Sequence, residues 1–240
     1  MVKYSPVGKW LPLFSLFKFL PLLCASQVSD AEISLLHKLD SIKNSASISR
    51  HFAGLYFTTT SEAVDFFLNK EESVREFMQR LETRFAAYFF RSADAFTRGT
   101  VIPSEWKAYF SGSAFSSLQY QLLGINAHIN GDIWQALTTE FSFQEILENK
   151  KYYFDFQKGL AREYRNFYIS SVNSNATTRM LHGVSLGLDR LYGKIMLAKW
   201  RKRQMQLAIL YYTDKDRLLK KLGKLKRKMD HLNQLILTDL

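Results

Sequence analysis

The chain has 240 residues and a formal net charge of +11, and 47% of its residues are hydrophobic, which is enough to bury one substantial core. A single cysteine, Cys24, excludes an intrachain disulfide and any zinc site built from cysteines. With only four prolines and no long alternating run between turn residues, the composition argues against a β-rich fold and predicts an all-helical protein.

The N-terminal segment differs from the rest of the chain. Basic residues precede an apolar stretch that ends at Cys24 and is followed by small residues, a pattern typical of a secretory signal peptide. Lys18 interrupts this stretch, which is also short for a transmembrane helix, so an interfacial anchor and a cytoplasmic protein remain alternatives. We expect residues 1–29 to be a signal peptide or N-terminal anchor of an exported or membrane-associated protein, and residues 30–240 to form one helical domain.

The segments that follow repeat apolar residues at intervals of three and four, which predicts helices. Asp30 can cap the first helix. A second helix starts near Ser47, and a new start is expected at Ser61, where acidic residues follow a serine. The clearest helix covers about 71–98 and ends at Gly99.

Pro103 is expected at the first position of a short helical piece that contains Trp106. A central helix over about 113–138 follows, which Asn130-Gly131 could bend or break. The segment 145–172 predicts one or two further helices before a loop-like stretch.

Two helices complete the chain. The first is expected over about 180–212, and the last spaces leucines, a methionine and an isoleucine between Leu218 and Ile236 like the seam of a coiled coil. Over so short a length this seam favours packing on its own bundle. The prediction is therefore a single all-α bundle of seven to nine helices.

The central helix carries an unusual set of polar residues among aliphatic ones. His128 and Asp132 lie four residues apart, so their side chains can meet on one helix face. Gln119, Asn126 and Asn130 lie close by in sequence. Because an unsatisfied buried polar group costs roughly 1–3 kcal/mol, these residues must find partners. They form either a structural hydrogen-bond network or a pocket for a small-molecule ligand, in which His128 could act as a general base.

The same stretch resembles the motif of bacterial domain-of-unknown-function family 5995, in which Asn-Ala-His-Ile-Asn is followed by one variable residue, Asp and an aliphatic residue. Upstream, Phe52 with its neighbours and the segment 77–89 are similar to the first two helices of that family. Two positions depart from its pattern: Gly131 stands where the family often has a second His, and Ala53 where it often has Asn. The family has no established activity, so the resemblance implies a fold and a bacterial source but no reaction.

A metal site is a weaker interpretation of the motif. His128, Asp132 and Glu82 are the candidate ligands, but no Glu-x-x-His pair occurs on a core-facing helix and the His-Glu-x-x-His zinc motif is absent. A nucleotide-dependent reaction is not expected because the chain has no glycine-rich phosphate loop.

Most of the positive charge lies in the last two helices. Such a surface could contact an anionic membrane or simply be solvated, and nucleic acid is the less favoured partner because no DNA- or RNA-binding motif accompanies it. The alternative to a pocket is thus a structural or membrane-surface protein with a basic C-terminal face. Cofactors and oligomeric state are not indicated by the sequence.

Overall fold

The computed structural model describes residues 28–112, 114–156, 169 and 188–239. Within them the chain forms helices and no strand, which confirms the prediction of an all-α, single-domain bundle. The α-helices are α1 (Asp30–Lys43), α2 (Arg50–Phe67), α3 (Glu72–Thr97), α4 (Ser117–Ala127), α5 (Ile133–Glu140), α6 (Phe143–Asp155), α7 (Leu188–Thr213) and α8 (Lys215–Asp239). A 3-10 turn (Ser104–Trp106) precedes α4, and a π-helix (His128–Asp132) connects α4 to α5.

Three helices begin with a capping box. Ser29, Ser116 and Ser142 each accept a hydrogen bond from the backbone N–H three residues later, and the Glu or Gln at that position bonds back. The expectation that Asp30 caps α1 was therefore wrong by one residue, because the serine hydroxyl reaches the free N–H groups of the first turn. The central helix likewise begins at Ser117 rather than near residue 113.

Helix α2 runs through the break that was expected at Ser61. Thr60, Ala63, Val64 and Phe67 are all buried on one side of this helix. Their packing outweighs the preference of a serine for a helix start, which is a weak local effect.

Where Asn130-Gly131 was expected to bend or break the central helix, the structure has the π-helix. A Cβ atom at Gly131 would lie 2.5 Å from Cγ of Glu105, so the 3-10 turn can approach the π-helix only because residue 131 has no side chain. A histidine here would require Glu105 to move.

The core is aromatic and lies between α2, α3 and the central helix. Phe52, Phe89, Trp106 and Tyr109 are buried and pack edge-to-face or tilted against one another. Helices α7 and α8 form a hairpin that packs on α4 and α5.

In α8, the seam residues Leu218, Leu225, Met229 and Ile236 are buried in this bundle, as their spacing indicated. Within the described part of the chain, none of the helices has the length and hydrophobicity that would be needed to cross a membrane. The expected N-terminal leader, the loop after residue 170 and the start predicted for α7 lie outside the described residues.

Candidate functional site

The structure separates the five polar residues of the motif into two groups. Gln119, Asn126 and Asn130 are directed to α8 or to one another, whereas His128 and Asp132 form a pair that contacts the core aromatics. The two groups have different chemistry, although both lie on the same central helix.

The first group, which consists of the three amide residues, connects the central helix to α8. Nδ2 of Asn126 donates to the Met229 carbonyl at 3.1 Å and to Oδ1 of Asn233 at 2.8 Å, and its Oδ1 accepts from Nδ2 of Asn130 at 2.9 Å. Nε2 of Gln119 donates to the carbonyl of Ile236 at 3.1 Å. These bonds satisfy Asn126 and connect α8 to α4, whereas Oδ1 of Asn130 is buried without a partner among the described residues.

The second group is a buried pair oriented by an indole. Nδ1 of His128 lies 2.8 Å from Oδ2 of Asp132, and Nε1 of Trp106 donates to the same oxygen at 2.9 Å. The imidazole and the carboxylate are each only 2% exposed. Sequence spacing predicted the His128–Asp132 contact, whereas Trp106 reaches it from the 3-10 turn.

The imidazole is fixed by aromatic rings as well as by Asp132. The Phe85 ring stacks on it at a centroid distance of 3.4 Å and an interplanar angle of 7°, and the Tyr56 ring meets it edge-on at 4.6 Å. With Nδ1 held by the carboxylate and one face covered by Phe85, the ring has little freedom to rotate.

The other ring nitrogen of His128 has no partner. Nε2 is fully buried, and no described residue makes a hydrogen bond to it. Whether this nitrogen carries the proton or a lone pair, it needs a hydrogen-bonding partner, and leaving it unsatisfied costs roughly 1–3 kcal/mol.

His128 lines a cavity of about 90 Å³ between α2, α3, the central helix and α7. Most of the wall is apolar or aromatic, and the polar side chains are His128, Glu82, Tyr56, Thr59 and Arg201. The hydroxyl of Tyr56 is also buried, with Thr60 as its polar neighbour. A mostly apolar cavity with a few convergent polar groups is the usual composition of a small-molecule site.

Arg201 forms one side of this cavity from α7. Its Nη2 donates to the carbonyl of Tyr153 at 2.9 Å, its guanidinium lies over the Tyr153 ring at 4.3 Å, and its Nε has no partner among the described residues. A buried guanidinium held this firmly supplies a fixed positive charge near the cavity.

The carboxyl groups of this region resist ionisation. Burial raises the pKa of Glu82 to about 7, although the positive charge of Arg201 acts in the opposite direction. Burial also raises the pKa of Asp132 well above its ordinary value, and the Trp106 hydrogen bond opposes this. The pKa of His128 is lowered well below its usual value by burial, so the His128–Asp132 pair favours a state without net charge.

Sequence reasoning named Glu82 only as a weak metal ligand and missed Tyr56 and Arg201. One pattern could have found Glu82, because it interrupts an apolar face formed by Met78, Phe85 and Phe89. A charged residue inside such a face is either paired or functional. Among the described residues, no three His, Cys, Asp or Glu side chains are grouped as metal ligands.

Comparison with known proteins assigns the chain to a family. A family model described as "Family of unknown function (DUF5995)" matches residues 30–239. The chain belongs to this family. The predicted membership of this family is thereby confirmed, and the description of the family states no activity. No curated protein and no solved structure matches the chain.

Proposed function

We propose that the cavity beside His128 binds a small molecule, and that Nε2 of His128 makes the hydrogen bond that orients it. The proposal is supported above all by the buried Nε2 without a partner among the described residues, because buried side-chain nitrogens are usually hydrogen-bonded. A bound ligand would provide the missing partner.

The size of the cavity restricts the ligand. About 90 Å³ is less than the roughly 150 Å³ of an engineered cavity that accepts benzene. The buried part of the ligand is therefore a group of a few heavy atoms, such as a short branched alkyl chain with one polar atom. A nucleotide, a haem or a flavin does not fit inside it.

The polar groups are suited to proton exchange with that ligand. Trp106 holds the carboxyl group of Asp132, which in turn orients the imidazole of His128. Glu82 has a pKa of about 7 and so holds or releases a proton near neutral pH. The low polarity of the walls strengthens each hydrogen bond inside the cavity. For these reasons we propose that His128 and Glu82 exchange protons with the bound ligand.

A matched series of probes tests the binding site. Isobutanol, isobutyramide, isobutyrate and isobutylamine share one branched alkyl group and differ in the polar group. The neutral alcohol and amide are expected to bind and to shift the His128 ring nitrogens in an NMR spectrum. Isobutyrate and isobutylamine should bind more weakly, because each would bring an ionised group out of water into a mostly apolar cavity, and Arg201 is already bonded to the carbonyl of Tyr153.

The variant His128→Phe keeps the stacking on Phe85 and removes the hydrogen bond, so probe binding should fall at least about tenfold. His51→Phe is the matched control, since His51 lies outside the cavity. Equal binding of isobutanol by both variants and the wild type, or failure of every probe to bind, would refute the proposal. In that case the motif is structural, and His128→Gln should lower the free energy of unfolding by roughly 1–3 kcal/mol with no other effect.

A further inference from the structure

The hairpin of α7 and α8 has a groove on its surface whose charge is entirely positive. Six cationic side chains border it together with Gln206 and Leu225: Lys199, Lys202, Arg203, Lys221, Lys224 and Lys228. The groove has a volume of about 270 Å³ and is separate from the cavity beside His128, because the two share no residue.

The regular spacing of the sequence produces this groove. On α7 the bordering residues are 199, 202, 203 and 206, and on α8 they are 221, 224, 225 and 228, so each helix contributes positions i, i+3, i+4 and i+7. These positions lie on one face of a helix. Two such faces meet because α7 and α8 are joined by Asp214 alone and pack side by side.

No acid neutralises these cations within the described part of the chain. The acidic residue nearest the turn, Asp214, pairs with Arg217, which lies outside the groove. None of the six makes an ion pair with a described residue. Arg203 is partly shielded from water, and this burial lowers its pKa from the usual value.

A helix surface that is merely solvated intersperses charges of both signs, since like charges repel one another. Six converging cations without an acid repel one another, and an anion between them would relieve this repulsion. We infer that the groove between α7 and α8 binds a compact ligand with several phosphate groups. Lysine from two walls can contact such a ligand on both sides, and multiple phosphates match the number of cations.

The ligand could be a free polyphosphate or the headgroup of a phosphorylated lipid, and the experiment distinguishes them. Inorganic tripolyphosphate is titrated into the full chain by calorimetry, and vesicles of phosphatidylcholine with and without phosphatidylinositol bisphosphate are tested by co-sedimentation. The groove variant is Lys202→Gln/Lys224→Gln/Lys228→Gln. The control is Lys107→Gln/Lys151→Gln/Lys215→Gln, which removes three exposed lysines elsewhere.

Both variants lose three positive charges. A difference between their affinities therefore reflects where the charges lie and not the change in net charge. Tripolyphosphate affinity should fall by about tenfold to a hundredfold in the groove variant and by no more than about twofold in the control. Binding only to the phosphoinositide vesicles, with the same dependence on the groove, would assign the ligand to a lipid headgroup.

The thermal midpoint provides a second measurement. The groove variant should melt at or above the wild-type temperature because repulsion is relieved, and tripolyphosphate should raise the midpoint of the wild type and the control only. Equal loss of binding in both variants, or no binding in either arm, would overturn the inference. Binding of a mixed-sequence RNA oligonucleotide alone would overturn it in favour of nucleic acid.

Discussion

Replacing Glu82 by Gln should change how the stability of the protein depends on pH. Glu82 lies on α3 at the cavity, and burial raises its pKa from 4.5 to about 7. The folded protein therefore holds this proton to a higher pH than the unfolded chain does. The contribution of Glu82 to stability is fully present below about pH 4.5 and is lost as the pH rises to about 7.

The magnitude follows from the size of the pKa shift. One pKa unit corresponds to about 1.4 kcal/mol, so a rise from 4.5 to about 7 gives an upper limit near 3.5 kcal/mol. The side chain of Glu82 is only half-buried, so residual hydration lowers this figure to about 2–3 kcal/mol. For a chain of this length that corresponds to a difference of about 4–12 °C in the melting temperature.

The assay is urea unfolding followed by circular dichroism between about pH 4 and pH 8. Glu82→Gln should match the wild type at the acidic end and exceed its free energy of unfolding by about 2–3 kcal/mol at the alkaline end. His128, whose pKa is lowered by burial, has the opposite pH dependence, but it is present in both proteins and so cancels in the difference.

Glu76→Gln is the control, because Glu76 is an exposed glutamate on the same helix. Glu76→Gln removes one carboxyl group outside the cavity and so provides the baseline for the Glu82→Gln difference. A difference for Glu82→Gln that is constant with pH to within about 0.5 kcal/mol would refute the reasoning, since it would mean that the carboxyl group is hydrated in the folded protein.

Gly124→Ala should lower the free energy of unfolding by about 1–3 kcal/mol in the same urea assay, because the new Cβ would lie 2.4 Å from Cδ2 of Phe52. Gly54→Ala is its control and should be neutral or stabilising by up to about 1 kcal/mol, since its Cβ would meet only Cγ of Lys43 at 3.7 Å; destabilisation of both to the same extent would contradict the argument. Asn126→Ala should cost about 2–4 kcal/mol, because it leaves buried partners on α8 unsatisfied, and hydrogen exchange should show the protection of α8 falling before that of α3. Unchanged protection of α8 would show that Asn126 does not hold that helix.

The sequence by itself determined the helical class, the family and the contact between His128 and Asp132. These depend on periodicities of three and four residues, which are local and can be counted without knowing the fold. The bounds of α3 were predicted to within a residue or so for the same reason, since a long regular apolar face and a terminal glycine both lie in its own sequence.

The tertiary structure decided which polar residues face a cavity. Asn126 and His128 are two residues apart and were assigned to one pocket, yet Asn126 bonds to α8 while His128 contacts α3. The direction of each side chain follows from the π-helix and from the helices packed around it, and neither is encoded in the spacing of the motif. The same holds for Trp106 and Arg201, which reach the site from distant parts of the chain because packing, and not sequence distance, places them there.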